Sequence, residues 1–125
     1  MKPGHSPPTQ KQRVGRWGEQ AAAEYLEKKG YVILARNYRA GRGEVDIIAR
    51  QENVLVFVEV KARSSNRYGY PEYSVSPKKR LHLLSAAEKY ILEHPEFTTW
   101  RVDVIAVEGE TGEARITQFE NVAGG

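Results

Sequence analysis

Apolar and polar positions along this chain predict seven elements in the order α-β-β-β-α-β-β. Residues 14–29 put Ala22, Ala23 and Leu26 on one helical face and Gln20, Glu24, Glu27 and Lys28 on the other, with Gly30 as the stop. YVILARNY (31–38) reads as a first strand, followed by a basic turn over 39–42. In 43–63, GEVDIIARQENVLVFVEVKAR, two runs rich in Val, Ile and Phe flank a polar break at Gln51-Glu52-Asn53, which predicts a β-hairpin. Ser76-Pro77 starts a second helix as N-cap and first helical residue, and Pro95 ends it after His94. Its core stripe is Leu83, Leu84, Ala87, Tyr90 and Ile91, with Lys78, His82, Ser85 and Lys89 opposite. WRVDVIAV (100–107) and 114–119 read as a fourth and a fifth strand joined by a turn at 110–113. The pattern thus implies a mixed α/β (α+β) sheet.

The hairpin contains a conflict. Its strands are apolar enough to be buried, yet they carry Glu44, Asp46, Glu59 and Lys61. Buried charges are costly unless they are paired or bound to a metal. If Arg50 pairs with Leu55 across a 51–54 loop, Ile48 faces Phe57, Asp46 faces Glu59 and Glu44 faces Lys61. All of these then share one face. Asp46 and Glu59 repel in that register, and a divalent cation between them removes the penalty. Glu19 falls on the inward side of the first helix. A carboxylate there either needs a partner or is an acid favoured by the helix dipole in an N-terminal turn.

A chain of 125 residues predicts one domain, over 13–120, behind a disordered basic tail over 1–12. No apolar run is long enough to span a bilayer, and the first residues lack the apolar core of a secretory signal. No cysteine is present, which excludes disulfides, thiolate nucleophiles and Cys-ligated zinc and fits a cytoplasmic protein. The formal net charge of +3 is unevenly spread: residues 1–16 hold Lys2, Lys11, Arg13 and Arg16 and no acid, which suits a polyanion. Lys78, Lys79 and Arg80 place positive charge where a helix prefers negative, and an anionic ligand there resolves the conflict; the alternative is a solvated basic turn. The long 64–75 stretch, SSNRYGYPEYSV, offers tyrosines for stacking on bases or for packing.

Asp46 followed thirteen residues later by Glu59-Val60-Lys61 resembles the PD-(D/E)xK nuclease motif, with Val45 where that motif has its Pro. With a Glu-bearing helix before it and a basic helix after it, the element order resembles the restriction-endonuclease-like core, and especially its archaeal Holliday-junction-resolvase branch. At finer resolution, GRWGEQAAAEYL, GYVILARNYR, GEVDIIA, VFVEVKAR, the 69–75 loop and RVDVIAV resemble, in that order, the YraN-like family of uncharacterised bacterial proteins. A lone D…ExK is a weak signal, and six ordered pieces are a specific one.

The resemblance implies Asp46, Glu59 and Lys61 as catalytic residues. It implies Glu19, Asp46, Glu59 and the Val60 carbonyl as ligands of Mg²⁺ or Mn²⁺, the ions that hard oxygen donors select. Glu44 is a neighbouring acid behind these ligands. Arg13, Arg16, Arg42, Lys78, Lys79 and Arg80 are candidates to hold a nucleic-acid backbone, with DNA ahead of RNA as the partner. The implied reaction is hydrolysis of phosphodiester bonds in structured or branched nucleic acid, and resemblance to resolvases also implies a homodimer. Three alternatives stand beside it: a binding module of this fold that does not cut, a basic surface for an acidic protein, and an ordinary cross-strand ion pair between Glu44 and Lys61.

Overall fold

The computed structural model describes residues 6–63, 76–110 and 113–122. Its elements are α1 (Gln10–Lys28), β1 (Val32–Ala40), β2 (Gly43–Gln51), β3 (Val54–Arg63), α2 (Pro77–Glu93), β4 (Thr99–Glu110) and β5 (Glu113–Phe119), in the expected order. They form a mixed five-stranded α/β sheet with strand order β1-β2-β3-β4-β5. All neighbours are antiparallel except β3 and β4, which run parallel and are linked through α2. The 64–75 stretch and Thr111-Gly112 lie outside the described residues, and so do the tyrosine and turn readings placed on them.

Each face of the sheet carries one helix. Ala22, Ala23 and Leu26 of α1 pack on Ile47, Ala49, Val56, Val58, Ile105 and Val107. Leu83, Ala86, Ala87 and Tyr90 of α2 pack on Val45, Ile48, Leu55, Phe57 and Val102. The helical stripes read from the sequence are therefore the core-facing ones. α1 starts at Gln10, earlier than the apolar pattern predicts, so residues 10–12 are helical. The reason is a reciprocal cap: the Thr9 side chain accepts from the Gln12 amide at 3.1 Å, and the Gln12 side chain accepts from the Thr9 amide at 2.9 Å. Among the described residues no helix is long and apolar enough to cross a membrane.

The hairpin register is the expected one from Ile47–Val58 to Gln51–Val54. The turn is tighter than expected, reduced to Glu52-Asn53, with Glu52 at φ 53°, the positive φ that a two-residue hairpin turn asks of its first central residue. The ladder stops before Asp46 meets Glu59. Below Ile47, β2 pairs only with β1, and beyond Val58, β3 pairs only with β4. The sheet forks there.

Strict alternation also breaks at the fork. Ala35, Tyr38 and Ala40 all lie on the α2 side, and so do Ile48 and Val45 opposite them. Positions three apart on a regular strand point to opposite faces. The step falls between the Arg36–Ile47 and Tyr38–Val45 rungs, where Asn37 takes a left-handed φ of 52°. Asp46 sits at this step, between Val45 on the α2 side and Ile47 on the α1 side, so strict alternation assigns it no face.

Two glycines set the helices close to the sheet. A Cβ on Gly18 would come within 2.3 Å of the Ala62 Cβ, and one on Gly43 within 1.8 Å of the His82 carbonyl oxygen. The second contact is backbone on backbone, so no rotamer change relieves it. Gly43→Ala is expected to destabilise the protein by about 2 kcal/mol or more, the cost of overpacking a rigid contact, measured as a lower urea midpoint with an unchanged m-value.

Candidate active site

Where β2 and β3 part, a cleft of about 1010 Å³ opens, lined by the first half of α1, the fork strands and the first turns of α2. It lies at the end of the sheet where the parallel strands β3 and β4 finish, the usual place for a ligand in an open α/β sheet. Asp46 and Glu59 stand at its base. The Asp46 Oδ2 accepts the Val60 amide at 2.8 Å, so a side chain takes the hydrogen bond that a β2 carbonyl would have taken had the ladder continued. Glu59 is 2% exposed and is ion-paired with the Lys79 ammonium, which reaches across from the first turn of α2.

These surroundings shape the electrostatics. Burial, with the like charge of Glu59 beside it, pushes the Asp46 carboxyl up to about 7, against the opposing pull of the Val60 amide. Glu19 adds to the upward push and Lys79 works against it. Burial alone would pull the Lys79 ammonium down, but Glu59, helped by Asp46 and Glu44, outweighs it and raises the pKa above the usual lysine value. Among the described residues no group of three His, Asp or Glu side chains stands ready to hold a metal ion. The site offers two carboxylates at the fork, with further acids around them.

Of the residues singled out in the sequence, Glu19, Arg42, Glu44, Asp46, Glu59, Val60, Lys61 and Lys79 all line the cleft. α1 carries no acid in its first turn, so Glu19 is a mid-helix residue at the cleft and not a dipole-favoured terminal acid. Glu44 does not reach Lys61: it bonds the Arg39 Nε at 2.6 Å on β1, and a Glu44–Lys61 ion pair does not form. The anion beside the basic first turn of α2 is a side chain of the protein itself, Glu59. Lys78 and Arg80 are exposed outside the cleft, as are Arg13, which bonds the Pro8 carbonyl at 3.2 Å, and Arg16.

Sequence reasoning misses Gln10, His82, Arg63 and Glu108 as cleft residues, and it reads Lys11 only as part of the basic 1–16 cluster; all five line the cleft. Helical spacing puts His82 on the outer face of α2, yet it follows Lys79 by one turn on the cleft side. Arg63 and the buried Glu108 are neighbours across the parallel β3–β4 ladder and pair at 2.7 Å. Only knowledge of that parallel register would have joined them.

This geometry defines an α/β protein with a mixed five-stranded sheet and a paired-carboxylate cleft at a strand fork. The chain belongs to the uncharacterised protein family UPF0102, whose profile matches residues 18–107. A UPF0102 protein of Syntrophomonas wolfei is 42% identical over 109 residues, covering 86% of this chain and 95% of that one. One from Syntrophus aciditrophicus is 46% identical over 101 residues, covering 79% of each chain. Among solved structures, Pyrococcus furiosus SfsA, determined in complex with Ca²⁺, is similar with a TM-score of 0.44 and 14% identity, over 85% of this chain and 63% of that one.

The raised Asp46 carboxyl carries a pH signature. An acid whose folded-state pKa lies above its unfolded-state value holds an extra proton in the folded state between the two values. Its contribution is fully favourable below the ordinary value of 3.8 and is lost as pH rises through about 7. In chelator-treated protein, Asp46→Asn is expected to raise the melting temperature by about 5 °C at about pH 8, with the gain fading toward about pH 4. A variant that melts lower than the parent at about pH 8 would mean that the Asp46 charge is stabilising.

Proposed function

We propose that this protein is a Mg²⁺- or Mn²⁺-dependent endonuclease of the cytoplasm that hydrolyses phosphodiester bonds in structured or branched nucleic acid. The observation that carries the reading is the Asp46–Glu59 pair, two largely buried carboxylates held together in a cleft lined by charged side chains, with the Val60 carbonyl and Lys61 next along β3. The donor set fits the ion: Mg²⁺ is commonly bound by one or two carboxylates, with waters and substrate phosphates completing its shell. Asp46 and Glu59 are the residues that would hold it, with the Val60 carbonyl and Glu19 as further oxygen donors. The chemistry such an ion supplies is Lewis-acid polarisation of the phosphoryl group and acidification of the attacking water.

The chain's own groups account for the rest. Lys61 follows Glu59 by two residues on β3 and lines the same cleft, so its ammonium orients the attacking water or meets charge developing on the phosphoryl oxygens. Among the described residues it makes no hydrogen bond or ion pair, which leaves it available for this role. Lys11 and Arg42 add positive charge to the cleft, and Lys78 and Arg80, outside it on the first turn of α2, would hold the strand that leads in. No base-reading motif accompanies them, so shape is the expected basis of recognition.

The test is a panel of labelled duplex, single-stranded, flap and four-way-junction substrates with Mg²⁺ and Mn²⁺. Asp46→Asn and Glu59→Gln are expected to lower cleavage by about a hundredfold or more. Lys61→Ala should do the same while leaving Mn²⁺ binding in place. Robust cleavage by purified Asp46→Asn would remove the assignment, and binding without cleavage by the parent would leave a non-cutting module.

Affinity gives a separate check on the outer basic residues. Neutralising Lys78 and Arg80 together should make the slope of log-affinity against log-salt shallower, by about one unit for each phosphate that is no longer neutralised. An unchanged slope takes this helix turn off the binding surface.

A further inference from the structure

Lys79 behaves unlike the basic residues on either side of it. Lys78 and Arg80 are exposed, whereas the Lys79 ammonium enters the cleft and pairs with the buried carboxylate of Glu59. Glu59 has no other ion-pair partner among the described residues. The Lys79 side chain remains 56% exposed along its length, so a flexible stem reaches in from solvent to a carboxylate that is 3% exposed. Its backbone is fixed. Its amide donates to the Ser76 cap at 3.3 Å, and one turn later α2 lies directly on Gly43 at His82. The anchor is rigid and the ammonium is free to change partner.

We propose that Lys79 is the resident counter-ion of the Asp46–Glu59 pair, and that a divalent cation bound by these carboxylates displaces it onto a phosphate of the nucleic acid. This rests on the metal-dependent reading above. Charge balance favours the exchange. Counting these three groups alone, with both carboxylates ionised, two carboxylates and one ammonium leave one negative charge; a divalent cation at the same carboxylates turns that into one positive charge and repels the ammonium. A phosphodiester entering the cleft carries the single negative charge that balances the sum, and Lys79 is within reach of it as a point-charge phosphate binder. Lys79 then couples the two binding events: the ion frees the lysine, and the lysine receives the strand.

The test uses Mn²⁺ alone, by calorimetric titration and thermal denaturation, on the parent protein, Lys79→Met and Lys79→Gln. Lys79→Gln keeps a donor for Glu59 and guards against a Lys79→Met that folds poorly. Both variants are expected to bind Mn²⁺ about tenfold more tightly, because the competing charge is gone. Without metal, Lys79→Met should melt about 10 °C lower, since Glu59 is left buried and unpaired, and saturating Mn²⁺ should return most of that loss. An unchanged Mn²⁺ affinity, with a melting loss that Mn²⁺ does not return, would make Lys79 a structural ion pair and overturn the proposal while leaving the metal site standing. If the parent and both variants take up no Mn²⁺, the metal-dependent reading falls and the proposal falls with it.

Discussion

Two carboxylates, Asp46 and Glu59, are kept largely out of water at the point where β2 and β3 separate, and the cleft is arranged around that cost. Desolvated like charges do not coexist cheaply. Three features of the fold reduce the penalty. The fork frees the Val60 amide to donate to Asp46. The first turn of α2 delivers an ammonium to Glu59. The upward push on the Asp46 carboxyl lets it carry a proton part of the time near neutrality. Had the ladder run two rungs further, Asp46 and Glu59 would face each other as paired strand residues, and Val60, opposite Val45, would give its amide to backbone.

The protein's other aspartate is fully buried, and the contrast is informative. Asp103 is fully buried on β4, and its carboxylate accepts from the Arg101 guanidinium at 3.0 Å, the Gln118 amide at 2.9 Å and the Asn121 backbone at 3.0 Å. Arg101 continues the network to the Tyr31 hydroxyl at 2.8 Å. These contacts tie β4 to β5, to the segment after β5 and to the residue that precedes β1. Asp103 is surrounded by donors, and the carboxylate nearest in this network, Glu120, reaches the same Arg101 at 3.7 Å, so Asp103 is satisfied as it stands. Asp46 has one amide, a carboxylate beside it and an open cleft in front of it. Both residues are acids in apolar strands, and what separates their roles is the set of partners that the topology delivers.

Much of this is legible in the chain itself. Helical spacing gives the core faces of both helices, and the Val/Ile-rich runs give the strands. The Arg50–Leu55 pairing puts the hairpin in its actual register. The start of α1 escapes because apolar periodicity does not register a cap, although Thr9 and Gln12 are there to be read. Alternation assumes a regular strand, so it does not carry the face of Ile48 past the step opposite Asn37 to Asp46. Lys79 reads as a phosphate contact because its neighbours in sequence are basic. Its neighbour in space is Glu59, which arrives through the β3–α2 connection. Local pattern reports faces and ends; it does not report which distant charge will meet a given side chain.

The shortage of carboxylates at the fork bears on how such a site would work. With a third acid in contact, a protein can hold a divalent ion whether or not substrate is present. With two, the remaining positions around a small, hard ion fall to water and to phosphate oxygens. If the cleft takes both, ion and nucleic acid would raise each other's affinity, and thermodynamic linkage makes such an effect reciprocal. The exposed stem of Lys79 and its buried target fit the same logic, because the ammonium can satisfy Glu59 when no strand is bound and a phosphate when one is. In this reading, occupancy of the cleft by both ion and strand is what would complete the site.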